Sequence, residues 1–283
     1  MNLPRSLGLL PKYNAPSAWW EHVPTAHLII ELIKPKIIVE LGTHYGVSFF
    51  SFCEAAEKYA NDSYIYGVDT WSGDEQAGYY GDEVYTRVKD HLDKYHSQRA
   101  QMIRCSFNEA EALFNSDSID LIHIDGLHTY EAVKEDYDTW LPKLKDGGTF
   151  LFHDWNVKEE GFGVWKLWEE IKCKEDFICV EMEYGYGLGI ATKTRITPEW
   201  HKTIKANKEA LKCKGKLLAE INKQNEFREV MLEGRKTDKK HIENLEKVVS
   251  DQQTQIDINH QENLKRHKKG NFMYRLIKKI VGL

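Results

Sequence analysis

The 283-residue sequence predicts an α/β fold: a seven-stranded, mostly parallel sheet with an antiparallel last strand, helices on both faces, and a C-terminal helical tail. Three observations carry this reading. Short apolar, β-branched runs alternate with stretches of helical periodicity, the pattern of strand–helix–strand crossovers. The last two runs are separated only by Glu183-Tyr184-Gly185-Tyr186, a hairpin-length connection that reverses the final strand. Beyond Pro198 the chain turns to Lys, Glu, Gln and Asn with few breakers, as a long solvated helix would.

The elements follow in order. Residues 1–20, rich in Pro, Gly, Asn and Trp, read as an irregular arm. A helix over 25–33 stops before Pro35, because the residue preceding proline disfavours helical backbone. Residues 36–41 form a buried strand, a glycine-containing turn follows, and 47–59 are helical. The pattern repeats: strand 63–69, helix 85–95, strand 100–105, helix 109–114, strand 119–125 and helix 129–144. A Lys-Asp-Gly-Gly turn at 145–148 leads to strand 149–153, a helix over 163–171, and closing strands at 177–182 and 187–192. The chain thus divides into a domain over 1–196, a helical linker over 197–264 and a basic amphipathic helix over 265–283. In the linker, Ile242, Leu245, Val249, Gln252 and Ile256 make a partial heptad: a weak coiled coil able to form a homo-oligomer, or a single solvated helix. In the last segment, Phe272, Met273, Leu276, Ile277, Ile280 and Val281 recur at helical spacing, with Arg275, Lys278 and Lys279 on the other face.

Charge separates these parts. The net charge is −5, yet residues 1–196 carry 19 basic and 32 acidic side chains while 197–283 carry 20 and 12. An acidic domain is unsuited to general nucleic-acid binding, whereas a basic tail suits an anionic partner. From Lys265 onward there are seven basic and no acidic residues, as in helices that lie on anionic membrane surfaces; docking on a partner or on the protein's own core is the other reading. Five scattered cysteines without a Cys-x-x-Cys pair, no secretory leader and no apolar run of membrane-spanning length point to a cytoplasmic protein, peripheral at the inner face of the membrane if the tail binds there.

Three blocks carry chemistry. The first, Val39-Glu40-Leu41-Gly42-Thr43-His44-Tyr45-Gly46-Val47-Ser48, joins the first strand to its crossover helix. Glycines there admit a ligand to the backbone, and the helix start offers free N–H groups. Glu40 can hold a ligand amine, and Asp69, with Thr70 beside it at the end of the second strand, can accept hydrogen bonds from ribose hydroxyls. A Gly-x-Gly-x-x-Gly dinucleotide pattern is absent, which favours S-adenosylmethionine over a nicotinamide cofactor. The second block is His123-Ile124-Asp125-Gly126-Leu127-His128-Thr129-Tyr130-Glu131, and the third is Phe152-His153-Asp154-Trp155. Both follow strands of the predicted sheet, so Asp125, His128, His153 and Asp154 converge where open parallel sheets bind ligands. Such an oxygen-rich set suits Mg²⁺ or Mn²⁺, although either aspartate alone would also serve as a helix cap. Tyr45, Trp71, Tyr79, Tyr80 and Tyr130 are candidates for stacking on an acceptor.

Together, residues 25–195 resemble the class I S-adenosylmethionine-dependent methyltransferases. Within them they are most similar to the metal-dependent sugar O-methyltransferases and the cephalosporin-hydroxylase-like group; Asp-Gly-x-His-x-Tyr-Glu with a later His-Asp pair is the most specific part. The resemblance implies a Rossmann-like fold, a metal held by Asp125, His153 and Asp154, and His128 as general base. His153 stands where the family carries an acidic residue. The resemblance further implies donor contacts from Glu40, Gly42, Thr43, Gly46, Ser48, Asp69, Thr70 and Asp125, with Ser106 and Phe107 at the adenine. The expected acceptor is a sugar or glycan hydroxyl, and the tail resembles those of methyltransferases of bacterial surface-polysaccharide assembly. A donor-binding scaffold without catalysis is the alternative.

Overall fold

The computed structural model describes residues 4–281, with side chains for all of these except 237–238, 256–260, 262–264 and 266–281. The N-terminal arm contains two short 3₁₀ turns, Arg5–Gly8 and Ala18–His22, and leads into α1 (Val23–Ile33). Lys34, in the left-handed region at φ 45°, closes α1 and turns the chain into β1 (Ile37–Leu41). Then come α2 (Val47–Tyr59), β2 (Tyr64–Asp69), a small hairpin of β3 (Gly73–Asp74) and β4 (Gly78–Tyr79), α3 (Asp82–Tyr95), β5 (Ala100–Arg104) and α4 (Phe107–Glu111). The second half comprises β6 (Ile119–Ile124), α5 (Tyr130–Trp140), β7 (Leu144–His153), α6 (Val164–Lys172), β8 (Phe177–Met182), β9 (Leu188–Lys193) and α7 (Glu199–Val281).

The large sheet has the order β5-β2-β1-β6-β7-β9-β8. β9 runs antiparallel to both its neighbours, and the other pairings are parallel. This is the expected seven-stranded, Rossmann-like arrangement. The chain leaves β1 for β2 and β5 on one side, then returns to β6 and β7 on the other, so a crevice opens beyond the carboxyl ends of β1 and β6.

The period-2 alternation of each strand divides the core into two layers. Ile38, Leu121, Leu151 and Ile190 face one layer, with Leu28 and Ile29 of α1 and Phe49 and Phe52 of α2. Val39, Ile122, Phe150 and Phe152 face the other, with Tyr137 and Trp140 of α5 and Leu167 and Trp168 of α6. The Lys145–Gly148 segment, expected as a turn before a strand, lies inside β7. The pairing jumps from Ile119↔Leu144 to Leu121↔Thr149, and Gly147 at φ 78° supplies the bulge.

Ile204, Leu211 and Leu218 of α7 are buried in the first core layer, and the compact unit runs from Met1 to Glu226. The second unit comprises Phe227–Leu283. Of the expected amphipathic helix over 265–283, only the Lys265 side chain is among those described, so its apolar and basic faces lie outside them; residues 282 and 283 lie outside the described chain. Among the described residues no helix is long and apolar enough to cross a membrane. All five cysteines are unpaired.

Candidate functional site

The loops after β1, β2, β6 and β7 enclose a cavity of about 560 Å³. Its floor depends on two close backbone approaches. Asp125 N–H donates to the Leu41 carbonyl at 2.8 Å, and Gly42 N–H donates to the Val68 carbonyl at 2.9 Å. Gly42 has φ 93°, and a Cβ on it would stand 2.1 Å from the Asp125 carbonyl oxygen. Glycine is required there on both counts. Gly46, at φ 80°, is the N-cap of α2, and Thr43, Gly46 and Ser48 line the cavity beside the helix's free N–H groups.

Asp69 and Thr70 form the wall beyond β2. The Asp69 carboxylate stiffens the glycine loop: Oδ2 accepts from Thr43 N (2.9 Å) and His44 N (2.8 Å), and Oδ1 accepts from Trp71 N (2.7 Å). A carboxylate oxygen can accept two hydrogen bonds, so Oδ1, with one, keeps acceptor capacity. Ser106 and Phe107 also line the cavity. A capping box between Ser106 and Glu109 fixes the start of α4, and the Phe107 ring covers Gly126, where a Cβ would lie 2.6 Å from Cε2.

At the ends of β6 and β7, two carboxylates and two imidazoles meet. His153 Nδ1 is 3.1 Å from Asp125 Oδ1 and 3.2 Å from Asp154 Oδ2. His128 Nε2 is 2.9 Å from Asp154 Oδ2 and 3.5 Å from Asp125 Oδ1. Burial disfavours charge on either ring, but the facing carboxylates outweigh it and raise His128 to about 9 and His153 to about 10. Burial likewise works to raise both carboxyls, yet the His153 charge and the imidazole hydrogen bonds hold Asp125 well below, and Asp154 below, the usual range. Asp154 itself sits at φ 60° in the left-handed region, an uncommon conformation for a non-glycine residue that the surrounding contacts maintain.

Asp125, His128 and Asp154 each offer one ligand atom within 4.8 Å of the others. His153 Nε2 is buried without a hydrogen-bond partner. Two carboxylates and an imidazole converging at this spacing fit a divalent cation of the Mg²⁺ or Mn²⁺ type.

Four of the expected site residues lie off the cavity wall. Glu40 is wholly buried behind it, accepting from His123 Nδ1 at 3.0 Å, since the two residues are register partners on β1 and β6. Trp71 is tucked under the loop and donates from Nε1 to the His44 carbonyl (3.0 Å). Tyr79 stands out in solvent on the β3–β4 hairpin. Tyr130 turns away along α5 and α6, its hydroxyl donating to Glu170 Oε1 at 2.6 Å. Tyr45 and Tyr80 do line the cavity.

Other residues contribute without having been singled out. Trp19 of the N-terminal arm lines the cavity and donates from Nε1 to His123 Nε2 (3.2 Å), so the arm is tied to Glu40 through a buried chain of hydrogen bonds. Gln76 and Phe162 hold His128: the Gln76 amide oxygen is 2.9 Å from Nδ1, and the Phe162 ring stacks on the imidazole at 5.1 Å. A lone histidine inside the apolar run Leu121–Ile124 was the one sequence signal for His123; Gln76 and Trp19 carried none.

Comparison with known proteins fits this geometry. Residues 39–155 match the family model of a methyltransferase domain. By this match residues 39–155 are a methyltransferase domain. The match opens at β1 and closes just past Asp154, so the methyltransferase domain contains the glycine loop and both Asp–His blocks. The chain is 41% identical over 172 residues to protein y4gI of Sinorhizobium fredii, an alignment covering 61% of this chain and 19% of that protein. The chain therefore spans about a fifth of the length of that curated relative. Among solved structures, the O-methyltransferase TomG from Streptomyces achromogenes is 13% identical, with TM-score 0.49, covering 68% of this chain and 91% of that one. A methyltransferase from Geobacter sulfurreducens is 14% identical, with TM-score 0.48, covering 61% and 78%.

Proposed function

We propose that the protein transfers the methyl group of S-adenosylmethionine to a hydroxyl oxygen of a small acceptor, a sugar or glycan. The observation that carries this reading is the meeting of Gly42, Asp69, Asp125, His128 and Asp154 around one cavity of the methyltransferase domain. Asp69 and the glycine loop bind the donor's ribose and amino-acid portion, and Phe107 and Ser106 flank its adenine. The acceptor oxygen attacks the methyl carbon in line with the breaking C–S bond, so holding both partners in register supplies much of the acceleration. The proton lost by the hydroxyl passes to His128 Nε2, the nitrogen that faces the two carboxylates.

A divalent ion held by Asp125, Asp154 and His153 would lower the pKa of the hydroxyl and fix its orientation. With that charge balanced, His128 is free to act as base. A sugar hydroxyl ionises far above neutral pH, which is why the reaction calls for both groups. Asp125→Ala and His128→Ala are each expected to abolish methyl transfer while calorimetric binding of S-adenosylmethionine persists. The assay is labelled-donor transfer to a panel of glycans with and without EDTA. Wild-type rates from both variants would end this reading, and rates indifferent to EDTA would remove the ion from it.

We further propose that α7 beyond Glu226 serves association. Ile242, Leu245 and Val249 are exposed along it at heptad spacing, which supports pairing with a second copy, and the basic end of the chain supports contact with an anionic membrane surface.

A further inference from the structure

Helix α7 carries a glycine, Gly215, among its docked turns, where alanine would ordinarily suit a helix better. Its surroundings explain the choice. A Cβ on Gly215 would stand 2.0 Å from the Glu21 carbonyl oxygen and 2.9 Å from the Glu21 Cα, so the helix meets the backbone of the Ala18–His22 turn with no room for a side chain. Leu211 and Leu218, on the same face of the helix, are buried in the first core layer on either side of this contact. One residue before the glycine, Lys214 Nζ donates to the Leu9 carbonyl at 2.6 Å and lies 3.4 Å from the Ser6 carbonyl. Helix α7 thus grips the N-terminal arm twice, at residues 6–9 and at residue 21.

The stretch between the two grips belongs to the cavity wall. Pro16, Ser17, Ala18 and Trp19 line the cavity, and Trp19 is buried two residues from the Glu21 contact. Trp19 Nε1 donates to His123 Nε2 on β6, while Trp20 Nε1 donates to the Ala15 carbonyl at 2.9 Å and closes the arm on itself. We propose that Lys214 and Gly215 of α7 are positioning residues that set how the N-terminal arm presents Trp19 to the cavity. Neither residue lines the cavity, and both act through the arm. The consequence for ligands rests on reading this cavity as the S-adenosylmethionine site; the placement of Trp19 does not.

The contact at Gly215 is between two backbones, so no change of rotamer relieves an added methyl group. One of the two elements has to move, because a packed interior has no slack to absorb the overlap. Helix α7 is anchored from Ile204 to Leu218, whereas the Ala18–His22 turn is a single short 3₁₀ piece. The turn therefore yields, and it carries Trp19 with it. The usual gain from alanine in a helix is reversed here by the neighbour.

Fluorine-19 NMR of the full chain carrying 5-fluorotryptophan, free of donor, reads the placement directly. The Trp19 resonance is assigned by its loss in Trp19→Phe. Gly215→Ala is expected to move it while leaving that of Trp140, in the other core layer, unmoved. Gly234→Ala, also on α7 but with nothing within 4 Å of the added Cβ, is the control and is expected to move neither. Lys214→Met, which keeps the apolar stem but releases the Leu9 and Ser6 carbonyls, is expected to move the Trp19 resonance too, and it carries the test if Gly215→Ala does not fold. Calorimetry with S-adenosylmethionine then reads the consequence, binding weaker by about threefold or more in the variant whose Trp19 resonance moves. A Trp19 resonance that stays in place in the folded variant overturns the proposal. So does a moved resonance with wild-type affinity. If the wild type itself binds no S-adenosylmethionine, the donor reading fails, and the ligand-free spectra alone decide the assignment of Lys214 and Gly215.

Discussion

Gly42 joins the two halves of the site through one backbone contact. Alanine there meets the Asp125 carbonyl oxygen at 2.1 Å and a φ of 93°, so the ends of β1 and β6 must part. Gly42→Ala is expected to weaken S-adenosylmethionine binding by about tenfold or more, roughly 1.4 kcal/mol. Gly147→Ala is the control: it also has positive φ, but its Cβ meets nothing within 4 Å. It is expected to cost about 1–2 kcal/mol of stability and no donor affinity, and equal calorimetric losses in the two variants would refute the close-approach account. Asp136 gives a second residue-scale prediction. Burial on α5, with the Glu135 charge adding to it, pushes its carboxyl up to about 7 from 3.8. A raised folded-state value means that its favourable contribution is complete below about pH 4 and is lost as pH climbs through 7. Asp136→Asn is expected to gain on the wild type, by on the order of a few kcal/mol, between pH 5 and pH 8 in urea unfolding, and parallel profiles would sink the idea. The site was legible where a residue type has a fixed chemical use at a strand end, as at Gly42, Asp69, Asp125, His128 and Asp154. It was not legible where a role depends on a partner remote in sequence, as for Gln76 reaching His128 or Trp19 reaching His123.

Period-2 and period-3.6 patterns separate cleanly in this chain, which is why all seven strands of the main sheet are legible in the sequence. What escaped has a local cause. The β7 bulge carries the Lys-Asp-Gly-Gly composition of a turn, and only pairing with Ile119 and Leu121 makes it strand. The β3–β4 hairpin is too short to show a period, and its shape comes from Asp74 and two glycines. On α7 the periodicity was diluted by charge. Ile204, Leu211 and Leu218 recur every seventh residue and are 0%, 0% and 5% exposed, whereas Leu245 is 51% exposed. Leu211→Ala is therefore expected to cost about 2–5 kcal/mol in urea unfolding of the full chain, through lost burial and the cavity left behind. Leu245→Ala, which removes little buried surface from the folded chain, is expected to cost under about 0.5 kcal/mol. The reverse ranking would mean that the exposed stripe, not the first turns of α7, carries the helix's contribution to stability.

Stability and charge are distributed differently along the molecule. Both core layers draw their buried residues from positions up to Leu218, and side chains such as Phe227 and Val230 just beyond Glu226 are exposed. Residues 227–283 carry 13 basic and 8 acidic side chains, so removing them makes the remaining chain more acidic. A chain ending at Glu226 should keep its folding transition and its affinity for S-adenosylmethionine, because no core residue is lost. It should also lose attraction to anionic surfaces, to which each lysine or arginine near a bilayer contributes about 1 kcal/mol. Flotation with phosphatidylglycerol vesicles is expected to carry the full chain and leave the shortened one behind, with 1 M salt releasing the former by screening. A chain lacking only 265–283 is expected to behave like the shorter one, since seven of the basic residues lie there and none of the acidic ones. Flotation of all three chains alike would place the membrane contact on the acidic domain or nowhere, against the charge distribution. Flotation of the chain lacking 265–283 but not of the one ending at Glu226 would move it to the stretch 227–264, where basic and acidic side chains nearly balance and exposed apolar residues such as Val249 would have to supply the attraction.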